Sequence, residues 1–396
     1  MQAIEQSQPQ WTSAKLVPIL LPLLFFVTPL SSSGKSILMV LSILAIIAAP
    51  DYRRQIVSLF SQSWCKAAIA LFALALVGCL WGPATIKEKM LVLEKYAKLL
   101  FLPILVVGLQ NRKTRESAIL AYIAAMALTA VLSVLVAKGV LITVKVNADS
   151  VFRNHIMTGI MMSFAAYLSA LLFFRRRGVV RIAYLLLFTL FSYQNLFVSV
   201  GRTGYVIYLL LLGLLVLQTF SWKQALAGFA VIAAVFLGCY STSDYMQLGV
   251  KTAVYEFQHY KQNKDTSIGY RIQFHNYAQQ LFIQHPLFGN GTASFTASFR
   301  IDKPVPSWDR TLLEPHSQYW LVLVEFGLFG FAILAWLAIS LLRATWRLSA
   351  MRPIGLALLA AIGLANFTDS LLFYSGSGYF FLLWMAACLG EKARSV

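Results

Sequence analysis

The chain has 396 residues, of which 59% are hydrophobic and only 12% are charged. An ordinary globular protein carries about 25% charged residues, so the composition excludes a typical soluble enzyme and indicates an integral membrane protein. The formal net charge is +18. Part of this charge is expected to set the membrane topology, and the rest predicts contact with anionic partners, phosphates above all.

Apolar runs recur along the whole chain, and a bilayer-spanning helix needs about 20 such residues. They predict an all-α integral membrane protein with about twelve transmembrane helices, forming a single polytopic domain over residues 1–396. The predicted spans are 16–29, 36–50, 66–81, 97–110, 117–138, 155–174, 182–199, 203–220, 224–240, 317–342, 354–370 and 371–390.

Basic residues in alternate short loops predict the orientation, because cytoplasmic loops carry an excess of lysine and arginine. This rule places both termini in the cytoplasm, and the loops near 30–35, 82–96, 139–154, 200–202 and 241–316 outside. The basic residues assigned to the cytoplasm are Arg53, Arg54, Arg112, Lys113, Arg115, Arg175, Arg176, Arg177, Arg181, Lys223, Arg343, Arg347, Arg352, Lys392 and Arg394.

Residues 241–316 form the one long polar interval, and we predict a large loop on the outer face of the membrane that contains helices. An amphipathic helix is expected from the region of Arg271 to Gln284, followed by a tight bend at His285-Pro-Leu-Phe-Gly-Asn-Gly291. The helical spacing of Ile86 to Lys98 predicts a second amphipathic helix, at the outer membrane interface.

The outer loops are also basic, which the topology does not explain. Individually these residues are typical of a solvated face, whereas together they indicate anionic lipid head groups or phosphorylated substrates. They include Lys145, Arg153, Lys251, Lys261, Lys264, Arg271, Arg300, Lys303 and Arg310.

Two arginines are candidate phosphate ligands. Arg202 lies in a short outward turn between two apolar runs, and Arg271 lies in the large loop. A guanidinium group binds phosphate through two parallel hydrogen bonds. The alternatives are an arginine that extends to the membrane interface at 202 and a surface arginine at 271.

His316 is a candidate proton acceptor, because it lies where the large loop re-enters the membrane and histidine titrates near neutral pH. A structural role is the alternative. His155 lies at a similar re-entry and has a weaker claim, and His259, His275 and His285 are interpreted as ordinary loop residues.

No metal or cofactor is expected. The outer loops show no carboxylate or histidine cluster with metal-ligand spacing, and no Ser-His-Asp order is favoured. The four cysteines lie in or beside apolar runs and are predicted to be packing or lipid-facing residues. Asp369 lies near an outer helix end with Asn366 and Tyr374, and is a candidate for orienting a substrate.

Taken together, these residues resemble the O-antigen ligase family, which is related to the O-antigen polymerases. The resemblance rests on three motifs in the second half of the chain, and the layout of the whole chain is similar. The motifs are Gly201-Arg202-Thr203-Gly204, Arg271 followed by His285-Pro-Leu-Phe-Gly-Asn-Gly291, and Pro315-His316-Ser317-Gln318-Tyr319 running into Glu325 to Gly330. The family often has asparagine where this chain has Ser317.

The resemblance implies a membrane glycosyltransferase of the GT-C type. It implies metal-independent, inverting transfer of polysaccharide from undecaprenyl pyrophosphate to lipid A–core, on the periplasmic face of the bacterial inner membrane. His316, Arg202 and Arg271 would be catalytic, and Arg202, Arg271, Tyr319 and Asp369 would bind substrate. The implied partners are the carrier-linked O-antigen, lipid A–core and membrane lipids, with no nucleic acid.

Two other functions stay open from the sequence. An O-antigen polymerase would perform the same chemistry on a carrier-linked acceptor, although the basic outer face favours an acceptor rich in phosphate. A flippase or other transporter would make no bond. The oversized loop and the scarcity of charged residues within the spans, with Glu325 the main exception, argue against transport.

Overall fold

The computed structural model describes residues 13–142 and 148–391. Over these residues the chain forms seventeen α-helices and four short 3-10 helices, and no strand. The predictions made for Lys145, Lys392, Arg394 and both chain termini lie outside the described residues. The all-α fold class is confirmed.

The helices follow one another through short connections. In chain order they are α1 (Val17–Leu30), α2 (Ser32–Ala48), α3 (Pro50–Leu59), α4 (Ser63–Val77), α5 (Ile86–Ala97), α6 (Phe101–Gly108), α7 (Arg112–Ala137), α8 (His155–Arg175), α9 (Val179–Phe197), α10 (Arg202–Thr219), α11 (Trp222–Thr242), α12 (Asp244–Gln258), α13 (Ser267–Gln284), α14 (Ser294–Asp302), α15 (Gln318–Trp346), α16 (Arg352–Ala365) and α17 (Ser375–Leu389). The 3-10 helices are Ser13–Lys15, Gly78–Leu80, Lys98–Leu100 and Ala148–Ser150.

The predicted count of twelve spans is not supported. Among the described helices, seven are long and apolar enough to cross a membrane, or eight if the bent pair α2 and α3, at 97° to each other, is one span. The other four predicted spans form helices of 14, 8, 14 and 15 residues, namely α1, α6, α16 and α17. These are shorter than the length that a bilayer demands of one straight helix.

Helix α8 lies at the centre of the molecule, since 83% of its most apolar 18-residue stretch is buried. Helix α11 is peripheral, with 6% of the corresponding stretch buried. Aromatic rings pack around α8 from three neighbouring helices. Trp384 of α17 lies 4.9 Å from Phe164, 5.0 Å from Tyr122 and 5.4 Å from Phe25, measured between ring centroids. Edge-to-face pairs of this kind stabilise a core beyond their area burial.

Loops that the charge pattern assigned to one side contact one another. Arg153 donates to the Ser32 hydroxyl, and Arg300 pairs with Glu88 at 3.0 Å. The loops assigned to the other side also meet, since Arg175 donates to the Ala350 carbonyl at 2.8 Å. The loops therefore group as the sequence predicted, while the face that meets the cytoplasm stays a prediction.

The polar interval 241–316 contains α12, α13 and α14. Helix α13 confirms the amphipathic helix predicted there, and it buries Phe274, Tyr277 and Leu281 on one face. Helix α5 confirms the helix predicted from Ile86, and the Thr85 and Glu88 side chains cap its N-terminus reciprocally.

Helix α15 is broken at Gly327, whose φ of 63° is accessible to glycine at little cost. The bend at 285–291 compensates for the break, because its backbone groups exchange hydrogen bonds with those of α15 on either side of Gly327. Leu328 and Phe329 donate to the carbonyls of Pro286 and Leu287 at 2.8 and 3.0 Å. In return, the N–H groups of residues 290 and 291 each donate at 2.9 Å to the carbonyls of residues 324 and 325, which the break leaves without helical partners.

A buried carboxylate completes this junction. Glu325 is fully buried, accepts from the Ala293 N–H at 2.9 Å, and accepts from the Tyr96 hydroxyl at 3.2 Å. The glycine-rich motif is therefore a structural clasp, which fixes α14 and the preceding loop on α15.

Candidate functional site

Arg202 and Arg271 line one pocket of about 230 Å³, which we call the arginine pocket. Its other polar lining includes His155, Thr252 and Ser267. The two arginines come from different parts of the chain, α10 and α13. The structure therefore brings together the two residues that the sequence identified separately as candidate phosphate ligands.

Three helices begin at the arginine pocket. His155 is the first residue of α8, Arg202 of α10 and Ser267 of α13. Helix N-termini carry partial positive charge and N–H groups without helical partners. Together with two guanidinium groups, this arrangement favours an anion with several oxygen atoms, such as a phosphate.

A buried carboxylate holds the turn before Arg202. Asp149 is fully buried, and its Oδ2 accepts from the Ser199 hydroxyl at 2.8 Å and from the Val200 N–H at 3.1 Å. Farther along α10, Gly204 contacts Gly159 of α8 so closely that a Cβ atom added at Gly204 would lie 3.1 Å from the Gly159 Cα. The N-terminus of α10 is thus fixed at both ends of its first turn.

Arg202 is also tied to the large loop. Its Nη1 lies 3.1 Å from Glu256 Oε2, and the same oxygen accepts from the Ile268 N–H at 3.2 Å. The Arg202 side chain is 29% exposed. A guanidinium has five N–H donors, and this is its one hydrogen bond among the described residues, so most of its donors are available to a ligand.

Arg271 connects the arginine pocket to the end of the loop. Its Nη1 donates to the Ser267 hydroxyl at 2.8 Å, and its Nε donates to the Thr368 carbonyl at 3.2 Å. Thr368 directly precedes Asp369, which belongs to a second group of polar residues. Arg271 therefore lies between the two groups.

This second group, the His316 cluster, consists of Glu314, His316 and Asp369. His316 Nδ1 lies 3.3 Å from Glu314 Oε1 and 3.4 Å from Asp369 Oδ1. Because Nδ1 faces two carboxylates, it is the nitrogen that carries the proton in the neutral ring. Nε2 is then the basic nitrogen, and it has no hydrogen bond to any described residue.

Glu314 also fixes the backbone of His316. His316 has a φ of 55°, which is unusual for a residue with a side chain. The carboxylate of Glu314 accepts from the His316 N–H at 2.6 Å, and from the hydroxyls of Ser370 and Tyr374 at 2.5 and 2.7 Å. These bonds hold His316 in the left-handed conformation, whose strain is of order 1–3 kcal/mol.

The carboxylates determine the pKa of His316. Burial lowers this pKa, but the hydrogen bond to Asp369 and the charges of Glu314 and Asp369 outweigh it, so the net pKa is raised above its ordinary value. Burial raises the pKa of Glu314, with the charge of Asp369 acting in the same direction and His316 in the opposite one.

Neighbouring side chains complete the surroundings of His316. Phe274 stacks on the imidazole at 5.8 Å between centroids, and His275 Nε2 lies 3.2 Å from the His316 carbonyl oxygen. His275 is thus a support of the site, unlike His259, which stacks on Tyr255. Ser317, at the position where the resemblance implied asparagine, accepts from the Trp320 N–H at 3.4 Å as the N-cap of α15.

The contacts of Tyr319 place it outside both the arginine pocket and the His316 cluster. Its hydroxyl donates to the Gly363 carbonyl at 2.8 Å, and its ring contacts Phe367 at 4.7 Å. These contacts connect α15 to α16. The substrate-binding role implied for Tyr319 stays a prediction.

Residues 185–335 match the family model described as O-Antigen ligase. This match supports an assignment to the O-antigen ligase family. The matched region begins in α9 and ends in α15, so it contains Arg202, Arg271 and His316, whereas Asp369 lies beyond it. No curated protein gives a significant match.

The family assignment supports an activity of the ligase or glycosyltransferase type on lipid-linked glycans in general. The candidate spans also make the chain a multi-pass membrane protein.

The structure brings together three residues that the spacing in the sequence did not connect. The potential ligand atoms of Glu314, His316 and Asp369 all lie within 4.8 Å of one another. The fold produces this group by bringing Asp369 to a histidine 53 residues earlier. That the reaction is independent of metal stays a prediction.

Sequence reasoning missed three carboxylates that position the site. Glu314 lies two residues before His316, and this spacing was the one available signal. Asp149 and Glu256 lie 50 and 54 residues from their partners Ser199 and Arg202. At such separations a single sequence carries no sign of a pair.

Proposed function

We propose that this membrane protein is an O-antigen ligase. It transfers a polysaccharide from undecaprenyl pyrophosphate to lipid A–core on the periplasmic face of the bacterial inner membrane. The observation that carries the proposal is the arginine pocket, where three helix N-termini and two arginines meet, connected by Arg271 to the His316 cluster.

The arginine pocket suits the leaving group. As the bond between the anomeric carbon and the pyrophosphate oxygen breaks, the electron pair passes to that oxygen and negative charge grows on the phosphates. Arg202 and Arg271, held by Glu256 and Thr368, are already oriented before this charge appears. Donors fixed in advance stabilise a transition state without reorganisation.

His316 suits the acceptor. An acceptor hydroxyl forms the new bond to the anomeric carbon and loses its proton, which passes to Nε2 of His316. The resulting imidazolium is stabilised by the carboxylates of Glu314 and Asp369 at Nδ1. Attack on the face opposite the pyrophosphate would invert the configuration at the anomeric carbon.

An apolar cavity offers a place for the isoprenoid tail of the carrier. It has a volume of about 610 Å³ and lies between α8, α9, α10 and α11, with Phe188, Tyr208 and Val235 among its lining residues. Phe197 lines the cavity, and Val200, three residues later, lines the arginine pocket. A lipid tail and its pyrophosphate would thus lie in adjoining spaces of matching polarity.

A lipopolysaccharide gel of a strain that lacks the gene tests this function. We expect lipid A–core without polymer, together with polymer accumulating on the carrier, and restoration by the wild-type gene. A pattern with a single repeat unit on lipid A–core would instead indicate a polymerase. Loss of all glycan from the outer face of the membrane would indicate a flippase, and either result would overturn the proposal.

A further inference from the structure

A second polar pocket lies on the large loop, apart from the arginine pocket. It has a volume of about 510 Å³, lies within residues 296–312, and shares no lining residue with the arginine pocket. We call it the 296–312 pocket. Its lining includes Arg300, Lys303, Trp308 and Arg310, with Asp309 as the one acidic residue.

Two of these cations have no acidic partner. Arg300 is held by Glu88 through two hydrogen bonds, of 3.0 and 3.4 Å. Lys303 and Arg310 form no ion pair with any described residue. The pocket therefore retains positive charge that the protein does not neutralise, which favours an anionic ligand.

The backbone fixes Lys303 at this pocket. The residue ends α14 in the left-handed conformation, with a φ of 46°, and its N–H donates to the Phe299 carbonyl at 3.1 Å. Few residues with a side chain adopt this conformation. The chain thus reverses at Lys303, and Val305, which is buried, anchors the segment that follows.

Trp308 gives the pocket an aromatic wall and an unused donor. Its indole Nε1 is buried and has no hydrogen-bond acceptor among the described residues. A buried polar atom without a partner calls for an explanation, such as an absent ligand or water. A rigid aromatic ring with a free N–H, beside two free cations, matches a sugar that carries an acidic group.

The pocket is coupled to His316 by ring contacts and by the chain. Trp308 packs against Phe274 at 5.1 Å between centroids, and Phe274 stacks on His316 at 5.8 Å. Leu312 lines the pocket four residues before His316. Four residues span at most about 14 Å, so a ligand seated in the pocket lies within a few sugar units of the base.

We propose that the 296–312 pocket binds an anionic group on the acceptor glycan, a phosphate or a carboxylate, and thereby places the acceptor hydroxyl at His316. This inference rests on the proposed function. The donor pyrophosphate would bind instead in the arginine pocket, which lies at the N-terminus of α10.

The test is transfer to purified lipid A–core by protein reconstituted in vesicles, with the Lys303→Ala, Arg310→Ala double variant. We expect the KM for the acceptor to rise about 10- to 100-fold, the range of one or two lost charged contacts, with kcat at saturating acceptor nearly unchanged. The matched control is the Lys251→Ala, Lys261→Ala double variant, which removes the same charge from the loop outside the pocket and should leave the KM unchanged.

Modified acceptors identify the anionic group. If removing phosphate with phosphatase raises the KM for the wild type and abolishes its difference from the double variant, the group is a phosphate. If amidation of carboxyl groups does so, it is a carboxylate. An undiminished difference with both modified acceptors would overturn the inference, as would an effect that follows the anionic lipid content of the vesicles.

The two proposals fail in different ways. Absence of any transfer by the wild-type protein would contradict the proposed function. Normal transfer with an equal KM in the double variant and the wild type would contradict only the acceptor site.

Discussion

At the scale of single residues, the way His316 is held decides its chemistry. Two carboxylates face Nδ1, and one of them also binds the backbone N–H of the same residue. The ring is therefore oriented with its basic nitrogen free. The same carboxylates favour the protonated ring, so the base acts best where the pH exceeds its raised pKa.

The raised pKa of His316 predicts how activity depends on pH. At low pH the ring is protonated and cannot accept a proton, so kcat/KM should rise with pH and level off above the usual histidine value of about 6.5. In Asp369→Asn, loss of a hydrogen bond and a charge that raise the pKa should move this rise to lower pH. Profiles of kcat/KM in vesicles measure the shift, with Asp244→Asn as a control of equal charge. An unmoved profile would argue against His316 as the base.

Both the charge and the planar shape of Arg202 and Arg271 should be needed for full activity. We expect Arg202→Ala and Arg271→Ala each to lower kcat about 100- to 1,000-fold, as for other donors that meet developing charge. Lysine at either position should restore only part of the loss, because it lacks the planar fork. Single-turnover rates measure this, with Arg112→Ala, an exposed arginine paired with Glu116, as the control. Equal rates for the lysine variants and the wild type would contradict bidentate binding of phosphate by these arginines.

Chelation tests the His316 cluster for a metal. In the proposed chemistry, guanidinium groups take the place of the metal ion that other enzymes use. Activity should therefore persist in purified protein after prolonged treatment with EDTA. Assays with and without added Mg²⁺, Mn²⁺ or Zn²⁺ measure this. Loss of activity that one of these ions restores would make Glu314, His316 and Asp369 a metal site, and would replace the arginine account.

At the scale of elements, the break in α15 determines where the loop can lie. The bend at 285–291 supplies the backbone partners that α15 lacks, so the loop is anchored by main-chain bonds as well as by side-chain packing. Helix α13, which carries Arg271, Phe274 and His275, leads directly into this bend. The position of Arg271 relative to His316 therefore depends on the clasp.

Alanine at Gly327 should destabilise the protein by more than about 1 kcal/mol, since φ is positive there and alanine is strained in that conformation. The added Cβ would also lie 2.5 Å from the carbonyl carbon of Leu287. Thermal unfolding in detergent should show a lower midpoint. Gly238→Ala in α11, where the Cβ meets nothing within 4 Å, is the matched control and should not lower it. Equal midpoints for the two variants would mean that the clasp contributes little.

At the scale of the whole molecule, charge and periodicity in the sequence were enough to predict the helices and to group the loops. An amphipathic helix was predicted from Arg271 to Gln284, where α13 lies, and the basic residues sorted loops that do contact one another, such as those of Arg300 and Glu88. The predicted number of spans is not supported, because apolar composition does not reveal where a helix stops. Helix α6, for example, forms only 8 helical residues of a longer apolar run.

The residues of the candidate site were predictable in part from composition. Arg202, Arg271 and His316 are conspicuous as polar residues beside apolar runs, so composition alone pointed to them. The carboxylates that support them are distant in the chain. Asp149 holds the turn before Arg202, Glu256 of α12 pairs with Arg202, and Asp369 lies against His316. A buried carboxylate that orients another residue leaves no local pattern, and the same holds for the 296–312 pocket.

The most direct test of the proposed base is the single-turnover rate of glycan transfer by purified His316→Ala protein in vesicles, with carrier-linked glycan and lipid A–core supplied. We expect a rate about 100- to 10,000-fold below the wild type, with thermal unfolding and binding of the carrier-linked donor unchanged. A rate within about threefold of the wild type, less than the usual contribution of a general base, would contradict the proposal that His316 accepts the proton of the acceptor.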